Sequence, residues 1–192
     1  WILKQQRYFT QFKAQTQREF VSGESILYLG RSYKLLVDKA DAKEYVSVRP
    51  GTLMVFSLTP ENPVRTRQLL EKWMQEKRYT IFQEQLDRCF KLFDYTTKPK
   101  LRIRKLSKRW GSYLKNNTII LNPELIKASK RQINYVITHE LCHMKFTNHT
   151  KAFYTLLSSH IPDWQNIKVQ LELELISNHP SVSINTPQIL QP

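Results

Sequence analysis

Apolar side chains at Trp1, Ile2, Tyr8, Phe9, Phe12 and Phe20 interleave with Gln and Lys, and predict a partly amphipathic helix over residues 1–20. After Gly23 the pattern shortens. Apolar runs on either side of Gly30-Arg31 predict one hairpin, and Tyr45–Arg49 and Thr52–Phe56 around Pro50-Gly51 predict a second. Residues 24–58 therefore read as a small antiparallel sheet. Pro60 and Pro63 introduce a helical period carried by Leu69, Leu70, Trp73, Met74, Ile81, Phe82, Leu86, Cys89, Phe90 and Phe93. One long helix, or two abutting ones, is expected over 63–94, with its aromatic residues in the core.

The second half alternates more quickly. A strand is expected over 100–106, then a hairpin from Arg109–Leu114 and Thr118–Asn122 around Lys115-Asn116-Asn117. Pro123–Lys127 reads as a helical turn. Helices are expected over 131–146, 150–159 and 163–176, the last two separated by Pro162. From Ser177 the chain holds Pro180, Pro187 and Pro192 and little charge, and reads as a flexible tail. The fold class is α+β. Residues 1–97 hold a helix, a small sheet and a long helix, 98–176 a second group of elements, and 177–192 the tail, with one compact domain overall. The chain opens at Trp1 inside an expected helix, which predicts a missing N-terminal segment.

Composition narrows the class. The chain has 192 residues, 41% hydrophobic and 24% charged, which is globular rather than disordered. No run approaches the roughly 20 apolar residues of a membrane-spanning helix, and no signal peptide is legible. Two cysteines, Cys89 and Cys142, build no disulfide framework, so a cytoplasmic setting is expected. The net charge is +14, and residues 1–131 carry 27 basic and 12 acidic side chains. Seven of the twelve residues Lys98–Arg109 are basic. On a strand, Lys98, Lys100, Arg102 and Arg104 share one face, opposite Pro99, Leu101 and Ile103. That face can hold phosphates, or it can be a solvated edge whose charges discourage aggregation.

His139-Glu140-Leu141-Cys142-His143 changes the picture most. Two histidines at i and i+4 project from one helical face and can bind a single metal ion. A glutamate directly after the first can take a proton from a water at the ion's open position. His149 becomes a third ligand if the helix ends and the chain turns back, with Asn148 a plausible left-handed residue at the turn and Thr150 a cap for the next helix. The alternative is an exposed histidine at a helix junction. Three histidines leave one position open, the catalytic arrangement. Zinc, one ion per chain, is the expected cofactor, although three imidazoles also suit nickel, cobalt or copper.

The stretches Arg109-Trp110-Gly111-Ser112, Ile119–Asn122, Tyr135–His143, Asn148–Tyr154 and Pro162-Asp163-Trp164 resemble the YgjP-like metallopeptidase domain family, itself similar to SprT-like and WLM metallopeptidases. The opening Trp1-Ile2 with Lys4, and the segment 23–31, match it as well. The resemblance covers roughly residues 1–175. It departs at Ala128, where proline is frequent, and at Tyr154, where tryptophan is frequent. It implies a zincin-like core, hairpins packed on the active-site helix, zinc on His139, His143 and His149, and Glu140 as base.

Other residues carry two readings each. Gly111 and Ser112 can accept a substrate backbone along the strand edge, or can form a bulge that only shapes the hairpin. Arg109 can bind a substrate anion or lie on the surface. Trp110 reads as a core plug, Asn122 and Asp163 as caps, Cys142 as a buried small residue and His160 as a helix-end histidine; His179 lies in the tail. The leading function is a zinc metallohydrolase acting on peptide or protein substrates. An alternative is a nucleoside triphosphate pyrophosphohydrolase that holds phosphates on the 98–109 strand, with Arg102 and Arg104. A further one is a DNA-associated metalloprotease using the basic face for non-specific nucleic-acid contact. No membrane partner is expected, and nothing in the chain specifies an oligomeric state.

Overall fold

The structure, a computed structural model, describes residues 18–176. The expected helix over 1–20 falls almost wholly outside the described residues, as do the tail and His179. Strands β1 (Ser25–Tyr28), β2 (Arg31–Lys39), β3 (Tyr45–Arg49) and β4 (Thr52–Ser57) form one sheet in the order β1-β2-β4-β3. The hairpins β1–β2 and β3–β4 are antiparallel, as expected. β2 and β4, however, run parallel, so the sheet is mixed rather than antiparallel. The reason lies in burial. β4 alternates buried positions at Leu53, Val55 and Ser57, while β3 is exposed at both ends. The more apolar strand takes the interior place and leaves β3 at the edge.

The β1–β2 turn falls at Leu29-Gly30, one residue before the expected position; both residues have positive φ, 47° and 74°. Such turns match the strand twist, and glycine adopts them without strain. Gly30 also has no room for a side chain, because a Cβ there would lie 2.8 Å from Ser129 Cβ. The amides of Leu29 and Gly30 donate to the carbonyls of Ile126 and Lys127 at 2.9 Å each. The hairpin tip is thereby fastened beside the helix that carries the histidines.

A single helix, α1 (Pro63–Phe90), follows, capped by Asn62, whose Oδ1 accepts from the amides of Val64 and Arg65. Next come β5 (Lys100–Ile103), β6 (Gly111–Leu114) and β7 (Thr118–Leu121), in the order β5-β7-β6. β7 is buried along its whole length and lies parallel to β5 and antiparallel to β6. A 3-10 turn (Pro123–Lys127) leads to α2 (Lys130–Cys142), α3 (Lys151–His160) and α4 (Trp164–Ile176). One hydrophobic cluster joins Ile26, Leu35 and Leu53 to Phe82, Ile119, Ile137, Phe153 and Leu171. The fold is α+β. Among the described residues no helix is long and apolar enough to cross a membrane.

Candidate metal centre

Helix α2 begins with a reciprocal capping box. The Ser129 hydroxyl accepts from the Gln132 amide, and Gln132 Oε1 accepts from the Ser129 amide at 2.7 Å. Gln132 Nε2 also donates to Glu174 of α4 at 2.9 Å, and Arg131 pairs with the Asp163 carboxylate just ahead of α4. At the other end the Tyr95 phenol donates to the Leu141 carbonyl at 3.1 Å. The helix is therefore held at both ends before any ligand is considered.

α2 stops at Cys142, not at residue 146. Met144 and Lys145 donate to the carbonyls of Leu141 and Cys142, three residues back, and tighten the last turn. His143 becomes the cap, and its Nδ1 donates to the Phe146 carbonyl at 3.0 Å. Asn148 does not take the expected left-handed conformation. Tight turns and the His143 bond reverse the chain instead. Thr150 then caps α3 as expected, its Oγ1 accepting from the Phe153 amide at 3.4 Å.

The result is a cluster. One ligand atom each from His139, His143 and His149 lies within 4.8 Å of the others. His139 Nε2 and His149 Nε2 are 3.0 Å apart. Two tetrahedral ligands at 2.0–2.1 Å from a shared ion stand roughly 3.3 Å apart, so this spacing suits one. The His143 bond through Nδ1 leaves its Nε2 as the available donor. Two of the rings, His139 and His149, are also biased toward the neutral form that a ligand needs. His139 is pushed down to about 3, mainly by burial and then by the charges of His143, His149 and Lys168. His149 moves the same way, again chiefly by burial. Three nitrogen donors at this spacing fit a divalent ion such as zinc.

Glu140 is 6% exposed, and burial raises its carboxyl to about 7. A hydrogen bond from the Tyr113 amide and the charge of Arg109 oppose that rise. Gly111 explains how the carboxylate fits. A Cβ at Gly111 would lie 2.8 Å from Glu140 Oε1 and 2.9 Å from both Glu140 Cγ and Val136 Cγ1. Its missing side chain is thus used by the protein's own glutamate. Ser112, the next residue on the strand, points to the opposite sheet face, away from α2. The Asn122 amide donates to the Trp110 carbonyl, which makes 110/122 a hydrogen-bonded pair. By the alternation of an antiparallel ladder, the backbone groups of Gly111 and Tyr113 face outward from the edge strand β6.

The basic residues divide. Arg109 is exposed, and its charge reaches Glu140. Arg102 is also exposed but stands on β5, with β7 between it and β6, and Arg104 continues past the end of β5. The structure does not bring these two to the histidines. Asn122 caps the 3-10 turn and also donates to the carbonyls of Leu106 and Arg109. Trp110 is half-buried against the core, Cys142 is buried with its thiol pushed up to about 12, and His160 packs on Phe93 at 4.1 Å. Four residues near the site escaped the sequence reading. Tyr135 shares the helical face of His139, a signal that was present in the spacing. Tyr113 acts through its backbone, and Lys168 and Glu172 arrive on a later helix, so none of these three has a local signature.

An α+β fold whose HExxH helix meets a third histidine from the following segment defines a zincin-like class of site. The chain belongs to the YgjP-like metallopeptidase domain family, which it matches over residues 1–174. Among solved structures it is similar to the zymogen of the metallopeptidase abylysin from Pyrococcus abyssi, at 23% identity and TM-score 0.47, over 50% of this chain and 95% of that one. It is also similar to the zymogen of jannalysin from Methanocaldococcus jannaschii, at 20% identity and TM-score 0.42, over 51% and 89% respectively. No curated protein matches.

Proposed function

We propose that this protein is a zinc-dependent metallopeptidase in which His139, His143 and His149 hold the ion and Glu140 is the general base. The observation that carries the reading is the convergence of three imidazoles beside a buried carboxylate on the same helix. Zinc in such a site supplies Lewis acidity toward a scissile carbonyl and toward a water. The remaining work falls to side chains. Glu140, with its carboxyl at about 7, changes protonation near neutrality. It is therefore matched to accept a proton from the attacking water and return it to the leaving amine. Arg109 keeps part of the carboxylate population ionised. A peptide substrate would add as a strand to the open edge of β6, using the outward backbone groups of Gly111 and Tyr113. Glu140 now accepts from the Tyr113 amide, so an arriving strand would compete for that donor.

The test is metal content by elemental analysis of wild type, His149→Ala and Glu140→Gln, with casein hydrolysis measured alongside. The expected result is about one zinc per chain in wild type and Glu140→Gln, and less in His149→Ala. Casein is cleaved only by wild type. A wild type that takes up no metal after reconstitution, or an active Glu140→Gln, overturns the reading. Turnover of nucleoside triphosphates in place of casein overturns its peptidase half.

A further inference from the structure

Phe153 of α3 is 0% exposed and touches all three histidines. Its ring centroid lies 5.0 Å from that of His139, 4.8 Å from His143 and 4.7 Å from His149. The three imidazoles are themselves 5.1, 4.9 and 4.8 Å apart. Four rings thus form one compact cluster with Phe153 closing the triangle. The contacts are directional: His139 and His149 meet the phenyl ring at 70° and 84°, edge-type arrangements that an aromatic quadrupole favours.

A metal-binding histidine is ordinarily oriented by a hydrogen bond through its second ring nitrogen. His143 has one, to the Phe146 carbonyl. His139 does not: among the described residues its buried Nδ1 has no hydrogen-bond partner. Packing must set that ring's angle, and Phe153 is the fully buried ring against it. His149 stands on an exposed turn outside any helix, yet it is clasped between Phe153 at 4.7 Å and Tyr154 at 6.0 Å. The Thr150 cap that follows His149 also receives the Phe153 amide, so one local device places the third imidazole and the ring that steadies it.

We propose that Phe153 is a positioning residue that pre-sets the three imidazoles for a shared metal ion, supplying by ring packing the orientation that hydrogen bonds give elsewhere. The inference rests on the metal reading of the site above. Phenylalanine offers no donor atom to the ion, and it acts only by forbidding the imidazoles to rotate away from their common point. Pre-organisation of this kind appears in affinity, because less conformational freedom is lost on binding.

The experiment uses the full chain, stripped of metal and reloaded with zinc in competition with a chromogenic chelator, and separately with cobalt(II) for its visible spectrum. Phe153→Leu keeps apolar bulk and removes the ring. Phe153→Met is run beside it, so that a folding defect in one variant does not decide the outcome. Leu157→Ala, at another 0% exposed position one turn further along α3, is the control for general loosening of the core. The expected result is a loss of about 10- to 100-fold in zinc affinity, with altered cobalt bands, in the Phe153 variants. Leu157→Ala melts at a lower temperature but keeps zinc affinity and cobalt bands. Wild-type zinc affinity in both Phe153 variants overturns the inference, as does an equal loss of affinity in Leu157→Ala. A wild type that takes up neither zinc nor cobalt overturns the metal reading itself, and this inference with it.

Discussion

At Gly111 one absent methyl group sets where Glu140 can lie. Alanine there would bring a Cβ to 2.8 Å from the carboxylate oxygen and 2.9 Å from Val136 Cγ1. Val136 belongs to the same helix turn and is buried, so it cannot yield freely. With Glu140 as the proposed base, the expected consequence for Gly111→Ala is its displacement: kcat falls of the order of 10²-fold while KM for a fluorogenic peptide changes little. The same overpacking lowers stability by about 1–3 kcal/mol. Steady-state kinetics and thermal melting of the one variant check both effects. An unchanged kcat would show that the carboxylate tolerates the move. The sequence leaves Gly111 open between an approach for a substrate backbone and a bulge that only shapes the hairpin, and neither reading points to Glu140. Its contact with Glu140 joins a strand to a later helix, and no local spacing encodes it.

At the scale of elements, the helix bearing His139 and His143 is secured by its ends. The Ser129 hydroxyl accepts from the Gln132 amide at 3.3 Å and donates to Gln132 Oε1 at 2.8 Å. Ser129→Ala removes this side of the capping box and is expected to cost about 1 kcal/mol, read from the urea midpoint of the metal-free protein. A drop in the midpoint with zinc affinity preserved would confine the role of Ser129 to the helix start. Equal midpoints would mean that the neighbouring Gly30 contact, not the cap, fixes this end. Helix starts were legible because caps and prolines are local chemistry: Asn62-Pro63 and Thr150 sit where their elements begin. The helix end after Cys142 was not, because His143 settles it by bonding a carbonyl beyond the turn. Turn residues likewise reported the two hairpins, but not that β2 and β4 are neighbours running parallel.

Across the whole molecule, two buried groups pull the pH dependence of the metal-free protein in opposite directions. His139 is held at about 3 against an ordinary 6.5, so the unfolded chain binds the extra proton between those values. Stability from this group is complete above about 6.5 and is lost as pH falls toward 3. Glu140 is raised from 4.5 to about 7, so the folded chain binds the extra proton there. Its contribution is present below 4.5 and is lost as pH rises through 7. Between 4.5 and 6.5 the two oppose one another, and the melting temperature of metal-free wild type should rise less with pH than that of a protein lacking the Glu140 carboxyl. Glu140→Gln removes one of them, and its melting temperature should rise more steeply with pH across that window. Parallel curves for the two proteins would contradict the assignment. Zinc should add stability by mass action, about 2.7 kcal/mol at a hundredfold excess over Kd, and a chelator should remove it. His149→Ala should respond less to both.

The amino-acid sequence alone determined what short-range chemistry can settle. It placed most of the turns and the long helix, and it set His139 and His143 on one face with Glu140 between them, since turn residues, caps and the i, i+4 period act within a few positions. It also offered His149 as the third member of the cluster. Tertiary structure alone decided which strands are neighbours, that Arg102 lies across β7 from the site strand while Arg109 reaches Glu140, and that Tyr113, Lys168 and Phe153 surround the centre. Those facts depend on competition among faces for one shared core. The winner is set by the total area buried and the polar groups satisfied, quantities that no stretch of chain contains by itself.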